Sequence, residues 1–273
     1  MTRFWQIFPV LIISLWVGYA LFSSSFYNQI TKYSASSSRS ERSILTTLPW
    51  SRYEVNEISN YISGDSYLGE NASEFVFKQE AGTHGIIHIA THAFTDDEYP
   101  SYSRLVFNNG GGPAEDGILY AYEIYNLKLN SDLAVLSSCN TGTGKFVKGE
   151  GTFSLARAFI YAGVPSVVMS LWNIDDRSTA EIVVGFYKRL EQGETKTDAL
   201  RNAKLEYLKK SDQLTANPVY WAGLIPIGDQ SSINVKKPVR YYYLVIITAA
   251  FLLFIFIMNK RSSIIHSNTA QNQ

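Results

Sequence analysis

Hydrophobic residues in this chain are concentrated in two long terminal runs and in short blocks between them. The runs Phe4–Phe22 and Tyr241–Met258 contain no charged residue. Each is close to the length that a helix needs to cross a bilayer. The second run, opened by three tyrosines as at a lipid–water boundary, predicts a transmembrane helix at residues 241–258. Residues 1–22 are expected to be either a membrane anchor or a signal segment.

Polar composition separates these ends from the middle of the chain. Residues 23–47 are rich in Ser, Thr and Arg and predict a linker, and residues 259–273, rich in Ser, Asn and Gln, predict a disordered tail. Lys and Arg are more frequent on the inner flanks of the two runs than on the outer flanks. If both runs span a membrane, this asymmetry places the middle domain in the cytoplasm, whereas a cleaved signal segment would export it.

Between residues 48 and 229, short apolar strands alternate with amphipathic helices. Strands are predicted at Ile86–Ala90, Leu133–Ser137, Ser166–Leu171 and Tyr220–Ile227. Helices are predicted at Tyr53–Ile62, Gly151–Ala162, Asp175–Leu190 and Thr197–Lys209. This alternation indicates one α/β domain, with a mainly parallel sheet covered by helices on both faces.

Two candidate catalytic side chains follow predicted strands of this sheet. His92 comes two residues after Ala90, and Cys139 comes two residues after Ser137. Ligand sites in such sheets lie beyond the carboxyl ends of the strands, where side chains from neighbouring strands converge. A nearby imidazole can deprotonate a thiol and later protonate a leaving amine. The alternative is a buried cysteine and an unrelated loop histidine.

The segments around these positions offer further chemistry. Cys139 begins a Gly-rich turn whose backbone N–H groups could hold an oxyanion, although an ordinary strand–helix loop has the same composition. The turn lacks the spacing of a P-loop. Asp175 and Asp176 follow the next strand, where they either cap a helix or recognise a basic substrate side chain.

Several classes of function are disfavoured by composition. Cys139 is the single cysteine, so neither a disulfide framework nor a zinc cluster is expected. His88 and His92 have a spacing of four, but in a strand they lie roughly 13 Å apart, too far to share a metal ion. With 24 basic and 24 acidic residues, the chain has no net charge that would favour a nucleic-acid partner. No metal and no cofactor are therefore expected.

Seven motifs, in order, resemble the CHAT domain family, which belongs to the caspase-like clan of cysteine peptidases. They are HIATH (88–92), DGILYAYEIY (116–125), LSSCNTG (136–142), GEG (149–151), LARAF (155–159), SLWNIDD (170–176) and YWAG (220–223). The resemblance covers about residues 48–229. It implies a caspase-like fold, cysteine peptidase chemistry on a protein or peptide substrate, His92 as the catalytic histidine and Cys139 as the nucleophile. Many members carry TPR repeats, so a TPR-containing partner is also implied.

The chain departs from the family pattern in two respects. The expected oxyanion donors are the backbone N–H groups of Ala93 and Cys139. Ala93 stands where the family commonly has Gly after the catalytic histidine, and alanine lacks the positive-φ freedom of glycine, which predicts an altered oxyanion geometry at this residue. No TPR array precedes the match, and residues 1–47 stand where the upstream part of the domain usually lies. The sequence therefore predicts a membrane-anchored cysteine endopeptidase. The alternatives are a catalytically degenerate membrane-bound interaction module and a cysteine acyltransferase that uses the same dyad.

Overall fold

The computed structural model describes residues 18–23, 48–96, 98–108, 115–137, 150–235 and 248–255. For residues 18–23 and 150–154 it describes the backbone alone. The chain divides into two units, Met1–Lys237 and Pro238–Gln273. All strands of the described residues belong to the first unit. The predicted linker after residue 23 and the predicted tail from residue 259 lie outside the described residues.

The first unit is built on a six-stranded sheet and a smaller three-stranded sheet. The strands are β1 (Gly18–Ser23), β2 (Asp65–Leu68), β3 (His84–Ala90), β4 (His92–Phe94), β5 (Arg104–Val106), β6 (Ile118–Tyr120), β7 (Leu133–Leu136), β8 (Ser166–Ser170) and β9 (Leu224–Gly228). The large sheet has the order β2-β1-β3-β7-β8-β9, and the small sheet has the order β4-β5-β6. The predicted strands at residues 86–90, 133–137 and 166–171 are found as β3, β7 and β8, which are adjacent.

Strand direction in the large sheet follows the connections. β2, β1, β3, β7 and β8 run parallel, whereas β9 runs antiparallel to β8. Two successive helices separate β8 from β9. The first helix carries the chain away from the carboxyl end of β8 and the second carries it back, so β9 starts beside the point where β8 ends. A single crossover helix would instead have given a parallel pair.

Helices cover both faces of the large sheet. They are α1 (Pro49–Ile58), α2 (Glu74–Glu80), α3 (Ala121–Ile124), α4 (Glu150–Tyr161), α5 (Asp176–Glu191) and α6 (Lys196–Lys210). Alternate residues of a strand point to opposite faces. On one face Ile87 and Leu136 pack with α2, α3 and α4, and on the other Ile86 and Val135 pack with α1, α5 and α6. The strands are therefore buried on both sides, which explains why their sequences are continuously apolar.

Side-chain caps fix where several helices begin. The Asp175 carboxylate accepts the backbone N–H of Ser178 at the start of α5, and Thr195 accepts that of Asp198 at the start of α6. Ser73 accepts the N–H of Val76 at the start of α2. Each cap satisfies one of the backbone donors that a helix leaves unpaired in its first turn.

The small sheet begins immediately beyond β3. β4 starts two residues after the end of β3 and pairs antiparallel with β5, which pairs antiparallel with β6. The hydroxyl of Thr91, between β3 and β4, donates to the backbone carbonyl of Val106 in β5. This contact ties the end of the large sheet to the start of the small one.

The expectation of terminal transmembrane helices is wrong. Among the described residues, no helix is both long enough and apolar enough to cross a membrane. Within the N-terminal run, residues 18–23 form β1, which pairs with β2 and β3 on either side. Within the C-terminal run, a helix is described at residues 248–255. The other residues of both runs lie outside the described residues.

Candidate active site

Three neighbouring strands end at one edge of the large sheet. β3, β7 and β8 are adjacent and parallel, so their carboxyl ends lie on the same side. The residues predicted from the sequence to form a site are those that follow these three strands. Edges of this kind are where α/β sheets bind ligands.

The register between β3 and β7 relates the two predicted catalytic positions. Ile89 is the partner of Leu136, and the backbone N–H of Ser137 donates to the carbonyl oxygen of Ile89 over 3.1 Å. His92 is three residues beyond Ile89, and Cys139 is three residues beyond Leu136. In sequence, each position is thus three residues beyond one member of a paired couple, and the described chain places His92 in β4. Cys139 itself, with the Gly-rich turn that follows it, lies outside the described residues.

His92 is the first residue of β4 and is fully buried. Its cross-strand partner is Val106, whose carbonyl also accepts the hydroxyl of Thr91. The backbone on both sides of the imidazole is therefore fixed by strand pairing. A side chain held in this way loses little further freedom when it takes part in chemistry.

Ala93 follows His92 in the same strand and pairs with Leu105. Its side chain is buried among the apolar residues on the α2–α4 side of the large sheet. The residue is extended, and an extended backbone does not require the positive φ that favours glycine. Alanine therefore fits the strand without backbone strain.

Asp175 and Asp176 lie at the start of α5, beyond the end of β8. Both the backbone N–H and the hydroxyl of Ser178 donate to the Asp175 carboxylate at 2.9 Å, so Asp175 acts as a helix cap. Asp176 accepts the backbone N–H of Trp50 at 2.9 Å. Burial raises the pKa of Asp176 to about 6, and the nearby carboxyl groups of Glu54 and Asp175 act in the same direction against the Trp50 hydrogen bond.

Beyond the end of β8, Trp172 packs against Gly223, which lies just before β9. The indole N–H of Trp172 donates to the carbonyl of Val219 over 3.0 Å. A Cβ atom at Gly223 would lie 2.8 Å from Cε2 of Trp172 and 3.0 Å from Cδ1 of Ile174. Gly223 thus lets the segment before β9 approach the segment after β8.

A buried polar group behind the site was missed at the sequence level. His88 of β3, Glu54 of α1 and Tyr187 of α5 are all buried, and His88 contacts both of the others. The sequence indicated that His88 packs in the sheet, but nothing in it links His88 to residues 34 and 99 positions away. No local pattern could have identified such partners.

Among the described residues, one set of carboxylates is close enough to hold a metal ion. Single carboxylate oxygens of Glu74, Glu115 and Glu123 lie within 4.8 Å of one another. The ammonium group of Lys78 is already bound among them, at 2.7 to 2.8 Å from each. Burial raises the pKa of Glu74 to about 7, while hydrogen bonds from Glu74 and Lys78 lower the pKa of Glu115. This cluster is an ion-pair network that joins α2 to α3.

Comparison with known proteins gives a family and two kinds of similar protein. The family model described as "CHAT domain" matches residues 20–229. Tetratricopeptide repeat protein 28 from Homo sapiens and from Mus musculus are each 30% identical over 122 residues, which is 45% of this chain and 5% of each relative. The chain thus matches only a small part of these curated relatives.

Among solved structures, the chain is similar to the crystal structure of the Arg-specific cysteine proteinase gingipain R. The TM-score is 0.47 and the sequence identity is 10%. The similarity covers 82% of this chain and 48% of that chain.

Proposed function

The chain belongs to the CHAT domain family, and on that premise we propose that it is a caspase-like cysteine endopeptidase. Cys139 is the proposed nucleophile and His92 the proposed general base. The substrate class is a protein or peptide. No cofactor takes part in the proposed reaction.

One observation carries this proposal: the register of β3 and β7. Ile89 and Leu136 are partners, and both proposed catalytic residues come three positions later. Adjacent strands in a sheet lie about 4.8 Å apart. Chain segments that leave neighbouring parallel strands at the same level start close together, and the proposal is that the His92 side chain, on β4, and the Cys139 side chain meet there.

The proposed reaction proceeds in two halves. His92 takes the thiol proton, and the Cys139 sulfur attacks the carbonyl carbon of the scissile peptide bond. The imidazolium then protonates the leaving amine as the C–N bond breaks, which leaves a thioester. Water, deprotonated by the same imidazole, attacks the thioester, releases the carboxylate product and restores the thiol.

Two further roles are part of the proposal. The backbone N–H groups of Ala93 and Cys139 would stabilise the oxyanion of the tetrahedral intermediate. Asp175 and Asp176 would favour a basic side chain before the cleaved bond. Asp176 is the stronger candidate, because the Asp175 carboxylate already accepts two hydrogen bonds from Ser178.

An electrophilic peptide probe tests the dyad. Because Cys139 is the single cysteine, any thiol labelling of the chain reports on that residue. We expect labelling of the wild type, none of Cys139→Ala, and strongly reduced labelling of His92→Ala. His84→Asn is a matched control, since it replaces a histidine at the opposite end of β3. Equal labelling of the wild type and His92→Ala would overturn the proposal.

Product analysis separates hydrolysis from transfer. Peptide substrates incubated with the wild type are expected to give free carboxylate products by mass spectrometry. Products joined to an added amine or thiol would instead identify a cysteine acyltransferase, which shares the acyl-enzyme step. Cys139→Ala should abolish either reaction.

A second candidate is an interaction module without catalysis. Ala93, in place of the usual family glycine, favours this alternative. A TPR-containing protein is the partner we infer, because the matched relatives are tetratricopeptide repeat proteins. Wild-type protein that binds a TPR array but neither labels nor cleaves would support this alternative over the peptidase.

A further inference from the structure

An exposed cluster of aromatic rings lies on the small sheet and the segments beside it. Tyr99, Tyr102 and Tyr122 are 58%, 52% and 43% exposed, and Tyr120 lies between them at the end of β6. We call these four residues the tyrosine patch. Tyr120 and Tyr122 are stacked, with ring centroids 5.1 Å apart, and Tyr102 makes edge contacts with both at 6.2 and 5.8 Å. Tyr99 extends the patch through Tyr102 at 6.3 Å.

The surroundings of the patch are acidic. Asp96 accepts the backbone N–H groups of Glu98 and Tyr99. Burial raises the pKa of Tyr122, and the negative charge on Glu123 and Asp116 acts in the same direction. Among the described residues beside the patch, carboxylates outnumber cations: they are Asp96, Glu98, Asp116 and Glu123, against Arg104 and Lys78, of which Lys78 is paired with Glu123.

The small sheet itself contains an example of the contact that such a surface favours. The guanidinium carbon of Arg104 lies 5.2 Å from the ring centroid of Phe94. Both residues belong to the row Phe94–Arg104–Tyr120 across β4, β5 and β6. A cation over an aromatic face is attracted by the ring quadrupole, and the attraction grows where the field is already negative.

The patch and His92 share the small sheet. His92 is two residues before Phe94 in β4, and Phe94 is related to Tyr120 of the patch through Arg104 in the row across the three strands. Peptide binding to the patch can be measured without any chemistry at Cys139.

We propose that the tyrosine patch is a docking surface for a Lys- and Arg-rich peptide segment of a partner protein. The tyrosine faces receive the cationic head groups, and the surrounding carboxylates add long-range attraction. The apolar parts of the Lys and Arg side chains cover the exposed rings. Because the proposal concerns binding, it stands or falls independently of the peptidase mechanism.

Fluorescence anisotropy tests the proposal with the full chain carrying Cys139→Ala, so that no labelled peptide is consumed. The probe is a peptide of repeating Arg-Gly-Ser units, and its counterpart replaces each Arg with Glu. We expect the Arg peptide to bind, the Glu peptide not to bind, and the affinity to fall as salt is raised. Replacing Tyr102→Ala and Tyr122→Ala together should weaken binding about tenfold, because two cation–ring contacts are lost.

Matched variants exclude a general loss of structure. Tyr102→Phe with Tyr122→Phe keeps both ring faces and should keep the affinity within about twofold. Tyr53→Ala removes an exposed tyrosine of α1, outside the patch, and should change nothing. Equal binding of the Arg and Glu peptides, absence of binding by either, or unchanged affinity in the Ala variant would each overturn the proposal. Labelling of Cys139 in the wild type is a separate readout that none of these results would alter.

Discussion

Nε2 of His88 lies 3.1 Å from Oε1 of Glu54, and both side chains are shielded from solvent. The two atoms are at ion-pair distance, although their geometry is not that of a hydrogen bond. The other ring nitrogen, Nδ1, is hydrogen-bonded to the hydroxyl of Tyr187 over 3.2 Å. These contacts join α1, β3 and α5 four residues before His92. The packing of two helices against the central strand thus depends on a buried polar contact.

We predict that His88→Leu lowers the free energy of unfolding by about 3 kcal/mol, because it leaves a buried carboxyl group without its partner. Adding Glu54→Leu should recover most of that loss, since the pair is then replaced by apolar side chains. Urea unfolding of the wild type, both single variants and the double variant measures these values. If the double variant is as unstable as the sum of the two single variants, the contact does not couple the residues.

Asp176 should make stability depend on pH. Its pKa is raised from 3.8 to about 6 in the folded chain, first by burial. Between these values the unfolded chain loses the proton while the folded chain keeps it, so stability falls as pH rises through this window. Asp176→Asn removes this effect and keeps an acceptor for the Trp50 N–H. We predict that the variant matches the wild type near pH 3.5 and is about 1 kcal/mol more stable near pH 7, after allowing for solvent screening.

Asp212 provides a control of opposite sign for this measurement. Hydrogen bonds from Thr215 lower the pKa of the exposed Asp212 carboxylate. Its contribution to stability is therefore present above the ordinary aspartate pKa and lost as pH falls. Asp212→Asn should accordingly weaken the protein at neutral pH and not at acidic pH. If both variants changed the unfolding free energy at neutral pH in the same direction, a raised pKa of Asp176 would not be its cause.

A side chain at residue 223 should destabilise the protein while Trp172 is present. A Cβ atom at residue 223 would lie 2.8 Å from the indole, closer than packed atoms approach. We predict that Gly223→Ala costs about 1–3 kcal/mol of unfolding free energy through overpacking. In a Trp172→Leu background the same substitution should cost much less, which a double-mutant cycle of urea unfolding measures. If Gly223→Ala lowered the unfolding free energy equally in both backgrounds, the overpacking would not come from contact with Trp172.

The sequence predicted the centre of the sheet better than its margins. β3, β7 and β8 are buried on both faces, so their continuous apolar sequences identified them directly. The same property misled at the N-terminus. β1 pairs with β2 on one side and with β3 on the other. Its apolar sequence lies within a longer hydrophobic run, which looks like a membrane-spanning segment. Hydropathy alone cannot separate a strand inside a sheet from a helix inside a bilayer.

Other features had no signal that sequence analysis could use. β4, β5 and β6 have three residues each, too few for an alternating pattern to be recognised. Asp175 could be a cap or a ligand; its contact with Ser178 shows that it caps α5, and a role toward a substrate stays a prediction. The contact of His88 with Glu54 and Tyr187 joins distant parts of the chain and arises only on folding. The pairing of His92 with Cys139 was predicted from strand ends and family motifs, and it stays a prediction.

The pH dependence of Cys139 alkylation tests the proposed dyad most directly. With a single cysteine in the chain, the rate of reaction with iodoacetamide reports the thiolate fraction of that residue. We predict a wild-type profile with an apparent pKa well below the ordinary value of about 8.5, and a profile near 8.5 for His92→Ala. Two identical profiles would show that the imidazole does not act on the thiol and would contradict the account.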